Sequence, residues 1–410
     1  MRKLGPFELG PRIGRGGMAS VYLARDWRKG ASHPVVALKV MREELASDRS
    51  YVAMFLDESR ILARLDHPNL ITVIEAGVGK LDDPSAQSQG STSDLDGGLV
   101  QGAKPAEEYR YIAMELLLGR TLADLWDLLA EQKKRMPLRV AASIVARVAH
   151  GMQHAHDLLG DDGQSYELVH RDVNPSNVFL TANGRVKLID FGLARAKDTE
   201  RAATQGMVTG KVTYLAPEQL STRTADRRTD IYQLGITLWE MVTGARLFLR
   251  DSNLESIAAV KRGDIPRPEQ LNPKVPPDLS RIVLRALAHD PDRRFTSMGG
   301  LARALDRWVE AQGLIVEDEE IVDLFDQVFP GERTRLESWY RDVTSPRVAA
   351  APADRTIAPP AAVGGIGGLS EPPPSVPLAA QLALGGAASP ELDLAAPKTR
   401  RSRWAWWKKR

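Results

Sequence analysis

His170-Arg171-Asp172-Val173-Asn174-Pro175-Ser176-Asn177-Val178 is followed downstream by Asp190-Phe191-Gly192. Either triplet, His-Arg-Asp or Asp-Phe-Gly, occurs by chance in many chains. The order and spacing are what carry information: Asn177 stands five residues after Asp172, and Asp190 thirteen after Asn177. A carboxylate, an amide and a second carboxylate offer hard oxygen donors of the type that suits Mg²⁺ beside phosphates. The rest of the chain can be read outward from this constellation.

Upstream, Gly14-Arg15-Gly16-Gly17-Met18-Ala19-Ser20-Val21 lies between two strand-like runs. Glycines there let a backbone approach phosphates closely and aim its N–H groups at them. Val36-Ala37-Leu38-Lys39 reads as the next strand, with Ala37 and Lys39 on one face. A helix is expected near 49–65, where Tyr51, Phe55, Glu58, Leu62 and Leu65 form one stripe. Glu58 is the odd member, because an unpaired carboxylate on an apolar stripe is costly. Pairing with Lys39 would satisfy both.

Together these motifs resemble the eukaryotic-type Ser/Thr protein kinases of bacteria, from about Phe7 to about Trp308. The resemblance implies an α+β, two-lobed fold with a β-rich N-lobe, one main helix and a larger helical C-lobe. It implies ATP and Mg²⁺ as co-substrate and metal, and protein substrates including the chain itself. Asp172 would be the base or orienting group for the substrate hydroxyl, and Asn177 and Asp190 the metal ligands. Lys39 would reach the α- and β-phosphates and pair with Glu58. The nucleotide would be enclosed by Ile13, Gly14, Arg15, Gly16, Gly17, Met18, Ala19, Val21 and Ala37. Met114 would stand beside the adenine, with the Glu115 and Leu117 backbones bonding its edge and Phe179 completing the site. Glu218 of Ala216-Pro217-Glu218 would pair with Arg294, and Asp230 would hold the catalytic-loop backbone.

Three positions depart from the family's pattern. Ala19 replaces the third glycine of the loop. Asn174 stands where a Lys is usual, and Lys211 follows Gly210 where a Thr is usual. Two readings stay open: Lys211 supplies the missing charge from the activation segment, its long stem giving the reach, or the site has decayed into a nucleotide-binding pseudokinase scaffold. Arg171 before Asp172 suggests a switch by phosphorylation of the activation segment, with Thr199, Thr204 and Thr209 as candidates.

The organisation expected is a kinase domain over 1–312. Its N-lobe covers about 7–117, with a polar, disordered hairpin insert at 79–108, and its C-lobe about 118–312. Strands are expected at 70–77 and 109–116, and long helices over 121–158 and 226–310. A helical extension follows at 313–345, with Ile321, Leu324, Phe325 and Val328 on one face. Residues 346–397 read as an Ala/Pro/Gly-rich linker. The tail, 398–410, holds seven Lys or Arg and three Trp. It suits an anionic membrane surface, with stacking on nucleic acid and simple solvation as the competing readings. The net charge of +2 gives no global reason to expect nucleic acid. The absence of cysteine excludes disulfides and thiolate chemistry and fits a cytoplasmic location. No apolar stretch is long enough to span a bilayer.

Overall fold

The computed structural model describes residues 2–16, 18–28, 35–82, 108–191, 211–221, 225–313 and 316–344. In the N-terminal part, β1 (Lys3–Leu4), β2 (Phe7–Arg15), β3 (Ala19–Asp26), β4 (Val35–Met41), β5 (Val73–Asp82) and β6 (Glu108–Glu115) form one antiparallel sheet. Because β1 pairs with both β2 and β5, the sheet closes in the order β1-β2-β3-β4-β6-β5. The strand expected at 70–77 begins at Val73 and runs on to Asp82, and β6 starts at Glu108. Residues 79–82 and 108, assigned to the insert from sequence, are therefore strand. The remaining insert, 83–107, lies outside the described residues.

Strand alternation sorts β4 onto two faces. Val36, Leu38 and Val40 point into a small core with Leu4, Phe7 and Tyr111. Ala37 and Met41 face the larger core, which is shared with α1 (Arg49–Leu62), so Lys39 falls on the α1 side. Asp48 caps α1 by accepting from the Ser50 amide at 2.8 Å, a contact worth about 1 kcal/mol. The helix ends three residues earlier than the apolar stripe, with Pro68 close behind.

The C-terminal part is helical. After β7 (Gly119–Thr121) come α2 (Leu122–Glu131) and α3 (Leu138–His156), and a three-stranded sheet places β8 (Val178–Thr181) between β7 and β9 (Val186–Leu188). Gly119 is required there: a Cβ would stand 2.0 Å from the Leu180 carbonyl oxygen. α4 (Arg227–Thr243) is buried from Thr229 to Thr243 on every side, the signature of a helix through the middle of a core. α5 (Asn253–Arg262) packs on the short turns Lys211–Tyr214 and Pro217–Leu220, α6 (Pro277–Ala286) packs on α4, and α7 (Met298–Ala311) packs on α3 and α4. Two more helices follow, α8 (Asp318–Val328) and α9 (Glu332–Thr344). Ile321, Leu324, Phe325 and Val328 are all buried, as the pattern predicts. Among the described residues, no helix is long and apolar enough to cross a membrane.

Candidate active site

The site lies where β4 and α1 meet the loops flanking β8 and β9. Lys39 reaches Glu58 Oε1 at 2.7 Å and Asp190 Oδ1 at 3.2 Å. All three residues are buried. Burial alone would push the Lys39 ammonium towards neutrality, but the Asp190 and Glu58 carboxylates outweigh it and hold its pKa above the ordinary lysine value. Lys39 thus stands between an α1 carboxylate and one just past β9.

Asp172 sits between two amides. Asn177 Nδ2 donates to its backbone carbonyl at 2.8 Å and to Oδ2 at 3.1 Å. Asn174 Nδ2 donates to the same carbonyl at 3.0 Å and to Oδ1 at 3.1 Å. The Asn174 side-chain oxygen meanwhile accepts from the Ser176 amide at 3.0 Å, capping the short turn Pro175–Asn177. With its nitrogen committed to Asp172, Asn177 has its amide oxygen left to offer a metal. The Ile189 amide donates to the Asn177 carbonyl at 3.0 Å, which sets Asn177 beside the strand end that carries Asp190.

The loop backbone is held from beneath. Asp230, fully buried on α4, accepts from the amides of His170 at 2.9 Å and Arg171 at 2.7 Å, and from His156 Nε2 at 2.9 Å. Gln233, one turn on, accepts from the Val173 amide at 2.9 Å and donates to the Arg171 carbonyl at 2.9 Å. These bonds enforce φ +65° at Arg171, a left-handed conformation that costs a non-glycine residue about 1–3 kcal/mol. Asp230 was legible in the sequence. His156 and Gln233 were not, since nothing local distinguishes a polar residue on an apolar helix face from a solvated one. His170 lies against Phe191 at a 39° tilt with ring centroids 4.7 Å apart, and its Nδ1 accepts from the Asp172 amide at 3.3 Å.

Ile13, Gly14 and Arg15 fall on β2, and Ala19 and Val21 on β3, with Gly14 opposite Val21. Gly16 donates its amide to the Ala19 carbonyl at 2.7 Å, and Met18 lies in the turn between them. Ala37 is opposite Met114 across β4 and β6. Met114, Leu117 and Phe179 are buried. The Glu115 amide donates to the Thr72 carbonyl at 3.0 Å, while its side chain accepts from Lys187 Nζ at 2.5 Å and the Thr72 amide at 2.8 Å. Lys187 was missed from sequence; it is a buried cation tying the segment between the two parts to β9. Gly17, Gly192, Thr199, Thr204, Thr209 and the side chain of Lys211 lie outside the described residues, so the exchange suggested between Lys211 and Asn174 is not seen.

Glu218 and Arg294 form a buried two-pronged pair at 2.7 and 2.9 Å, with Thr229 donating to Glu218 at 2.8 Å. Burial pushes the Glu218 carboxyl up, but the hydrogen bonds and charge of Arg294 outweigh it and hold the group below its usual range.

A magnesium–nucleotide pair suits this donor set. Among the described residues, no cluster of three or more His, Asp or Glu could hold a metal alone. Asn177 and Asp190 are instead the sparse oxygen set expected when phosphates complete the coordination.

The protein kinase domain family model matches residues 7–306. The tyrosine-protein kinase MasK of Myxococcus xanthus is 32% identical over 309 residues, 75% of this chain and 44% of that protein. The serine/threonine-protein kinase PknB of Mycolicibacterium smegmatis is 33% identical over 308 residues, 75% of this chain and 43% of that protein. The chain therefore spans under half the length of these curated relatives. Among solved structures, the kinase domain of Mycobacterium tuberculosis PknI superposes with a TM-score of 0.51 at 24% identity, over 74% of this chain and 96% of that one. The β-rich and helical parts are thus the two lobes of the protein kinase fold, and the chain belongs to the protein kinase family.

Proposed function

We propose that this chain is a working protein kinase, transferring the γ-phosphoryl group of ATP to Ser or Thr hydroxyls of proteins, itself included, in signal transduction. The observation carrying the proposal is the placement of Lys39, whose Nζ lies 2.7 Å from Glu58 and 3.2 Å from Asp190. In the family this pairing accompanies the active arrangement. Lys39 would orient the α- and β-phosphates. Asn177 and Asp190 would hold Mg²⁺, which neutralises phosphate charge during transfer. Asp172 would accept the hydrogen bond of the incoming hydroxyl and align it in line with the phosphorus. Positioning and electrostatics supply the rate.

Specificity for Ser/Thr rests on the catalytic loop, HRDVNPSN, which lacks the Arg- and Ala-rich form typical of tyrosine kinases. Relatives named for each specificity are similar to this chain. Asn174 is the one feature favouring the second reading, a nucleotide-binding scaffold. The test is autophosphorylation of the purified protein with labelled ATP and Mg²⁺, beside Asp172→Ala and Lys39→Met. Label lost in both variants, on Ser or Thr by phosphoamino-acid analysis, is the expected result. Label on Tyr would overturn the specificity. Nucleotide binding without label in any form would favour the scaffold. For the basic, Trp-containing tail we propose contact with the anionic inner face of the membrane from the cytoplasm. Equal liposome co-sedimentation with and without 398–410 would refute it.

A further inference from the structure

Helices α8 and α9 lie beyond the residues that the kinase family model matches, 7–306. Both are held on the C-lobe, and α9 also reaches the N-lobe through Arg25. At the start, Arg147 of α3 pairs with Asp318 and donates to the Val316 carbonyl at 2.8 Å, and Arg139 donates to both Glu320 oxygens at 2.6 and 2.8 Å. Gly184, at φ +85°, lets the β8–β9 turn press on the same place: a Cβ would stand 2.2 Å from the Asp318 carbonyl oxygen. These contacts fix α8 to the C-lobe. Midway, Arg120 of β7, just past the interlobe segment Glu115–Leu118, donates to Glu332 of α9 at 2.9 Å, with the Arg120 and Glu332 side chains only 5% and 7% exposed. Arg120 also lies over the Phe329 ring at 5.3 Å. At the far end, Arg25 on β3 donates to the Val343 carbonyl at 2.8 Å. Arg25 belongs to the N-lobe.

The Glu115–Leu118 segment is the covalent path between the lobes on this side, and α8–α9 run beside it as a second, non-covalent one. A cleft of about 660 Å³ separates the two paths, bounded by Glu115 and Leu117 on one side and Asp323 and Arg333 on the other. The interlobe segment thus has open space behind it but is bridged at both ends. Opening the lobes would have to break the Arg25–Val343 bond or strain the buried Arg120–Glu332 pair.

We infer that residues 316–344 are an interlobe strap, with Arg120 and Glu332 as positioning residues, that holds the lobes at the angle bringing Lys39 to Asp190. The inference rests on the kinase reading above. Without the strap, conformers too open to grip nucleotide would be populated, and apparent affinity falls by the fraction that remains competent. The strap therefore acts on ATP binding, while the groups that touch the reacting atoms are unaltered.

The test uses the full chain with Arg25→Ala, Arg25→Lys and Glu332→Gln, reading ATP KM, kcat and hydrogen exchange at the amides of 115–118. Arg25→Ala and Glu332→Gln are expected to raise ATP KM at least about threefold, with kcat within about twofold and faster exchange at 115–118. Arg25→Lys, which keeps a charged donor, should recover most of the loss. Wild-type KM and wild-type exchange in both Arg25→Ala and Glu332→Gln, even with a lowered melting temperature, would overturn the strap and leave only a packing role. If no form transfers phosphate, the kinase reading fails on its own, and exchange at 115–118 still decides the strap.

Discussion

Asn174 donates its side-chain amide to Asp172 twice, at 3.0 Å to the backbone carbonyl and 3.1 Å to Oδ1. Together with Asn177 on Oδ2, it gives each carboxylate oxygen its own amide. A lysine at 174 would bring charge to this place; the asparagine brings orientation. Asn174→Ala should lower kcat about ten- to a hundredfold with a smaller change in ATP KM, because a misaimed base loses transition-state alignment. Equal kcat in wild type and variant would mean that Asn177 alone suffices.

If Lys211 supplies the charge that Asn174 lacks, the two positions are energetically coupled. Asn174→Lys and Lys211→Thr should each impair kcat/KM, and the double variant should recover most of it. A double-mutant cycle with additive losses would separate them.

Lys39→Met leaves Glu58 and Asp190 facing each other in a buried space. Activity should fall below detection. Stability should also drop by about 3 kcal/mol, since removing one partner strands buried charge. Urea denaturation checks the second effect independently of the first.

Arg294→Lys should destabilise the chain nearly as much as Arg294→Ala, by about 3 kcal/mol or more. A lysine cannot reproduce the two-pronged bond to Glu218 or the donation to the Ala288 carbonyl at 2.8 Å. Denaturant midpoints of the two variants give the comparison.

Burial pushes the His170 imidazole below its ordinary value of 6.5, against the pull of Asp230, Asp172 and Asp190. The unfolded chain takes up a proton near pH 6.5 and the folded chain only at lower pH. Stability from this group is therefore complete above about 6.5 and is lost as pH falls through the interval below it. His67, also depressed by burial, contributes with the same sign. Denaturation measured from about pH 8 to pH 5 should show a shallower decline in His170→Phe than in wild type.

The parts of the site legible in the sequence were those where chemistry demands a residue type at a spacing. Glu58 announced its partner because a carboxylate on an apolar stripe needs one. Asp172, Asn177 and Asp190 were singled out by order and spacing. Lys187, His156 and Gln233 stayed hidden, because their partners, Glu115, Asp230 and the Arg171 carbonyl, come from distant strands and helices. The same distance hid the role of α8 and α9: the amphipathic face of α8 predicted packing, but not that Arg25 and Arg120 would receive α9. Asn174 was read as an absence, a missing lysine, and its two bonds to Asp172 depend on a turn geometry that composition does not encode.

Asp230 gives the catalytic loop no independent life. Its oxygens grip the His170 and Arg171 amides from inside a helix buried on every side from Thr229 to Thr243. A loop anchored that way cannot soften ahead of the core, so heat should extinguish transfer and helix signal in one cooperative step. Drift in loop geometry is then paid in global stability, and substitutions tolerated elsewhere on the surface will be filtered here by folding before they are ever tested by catalysis.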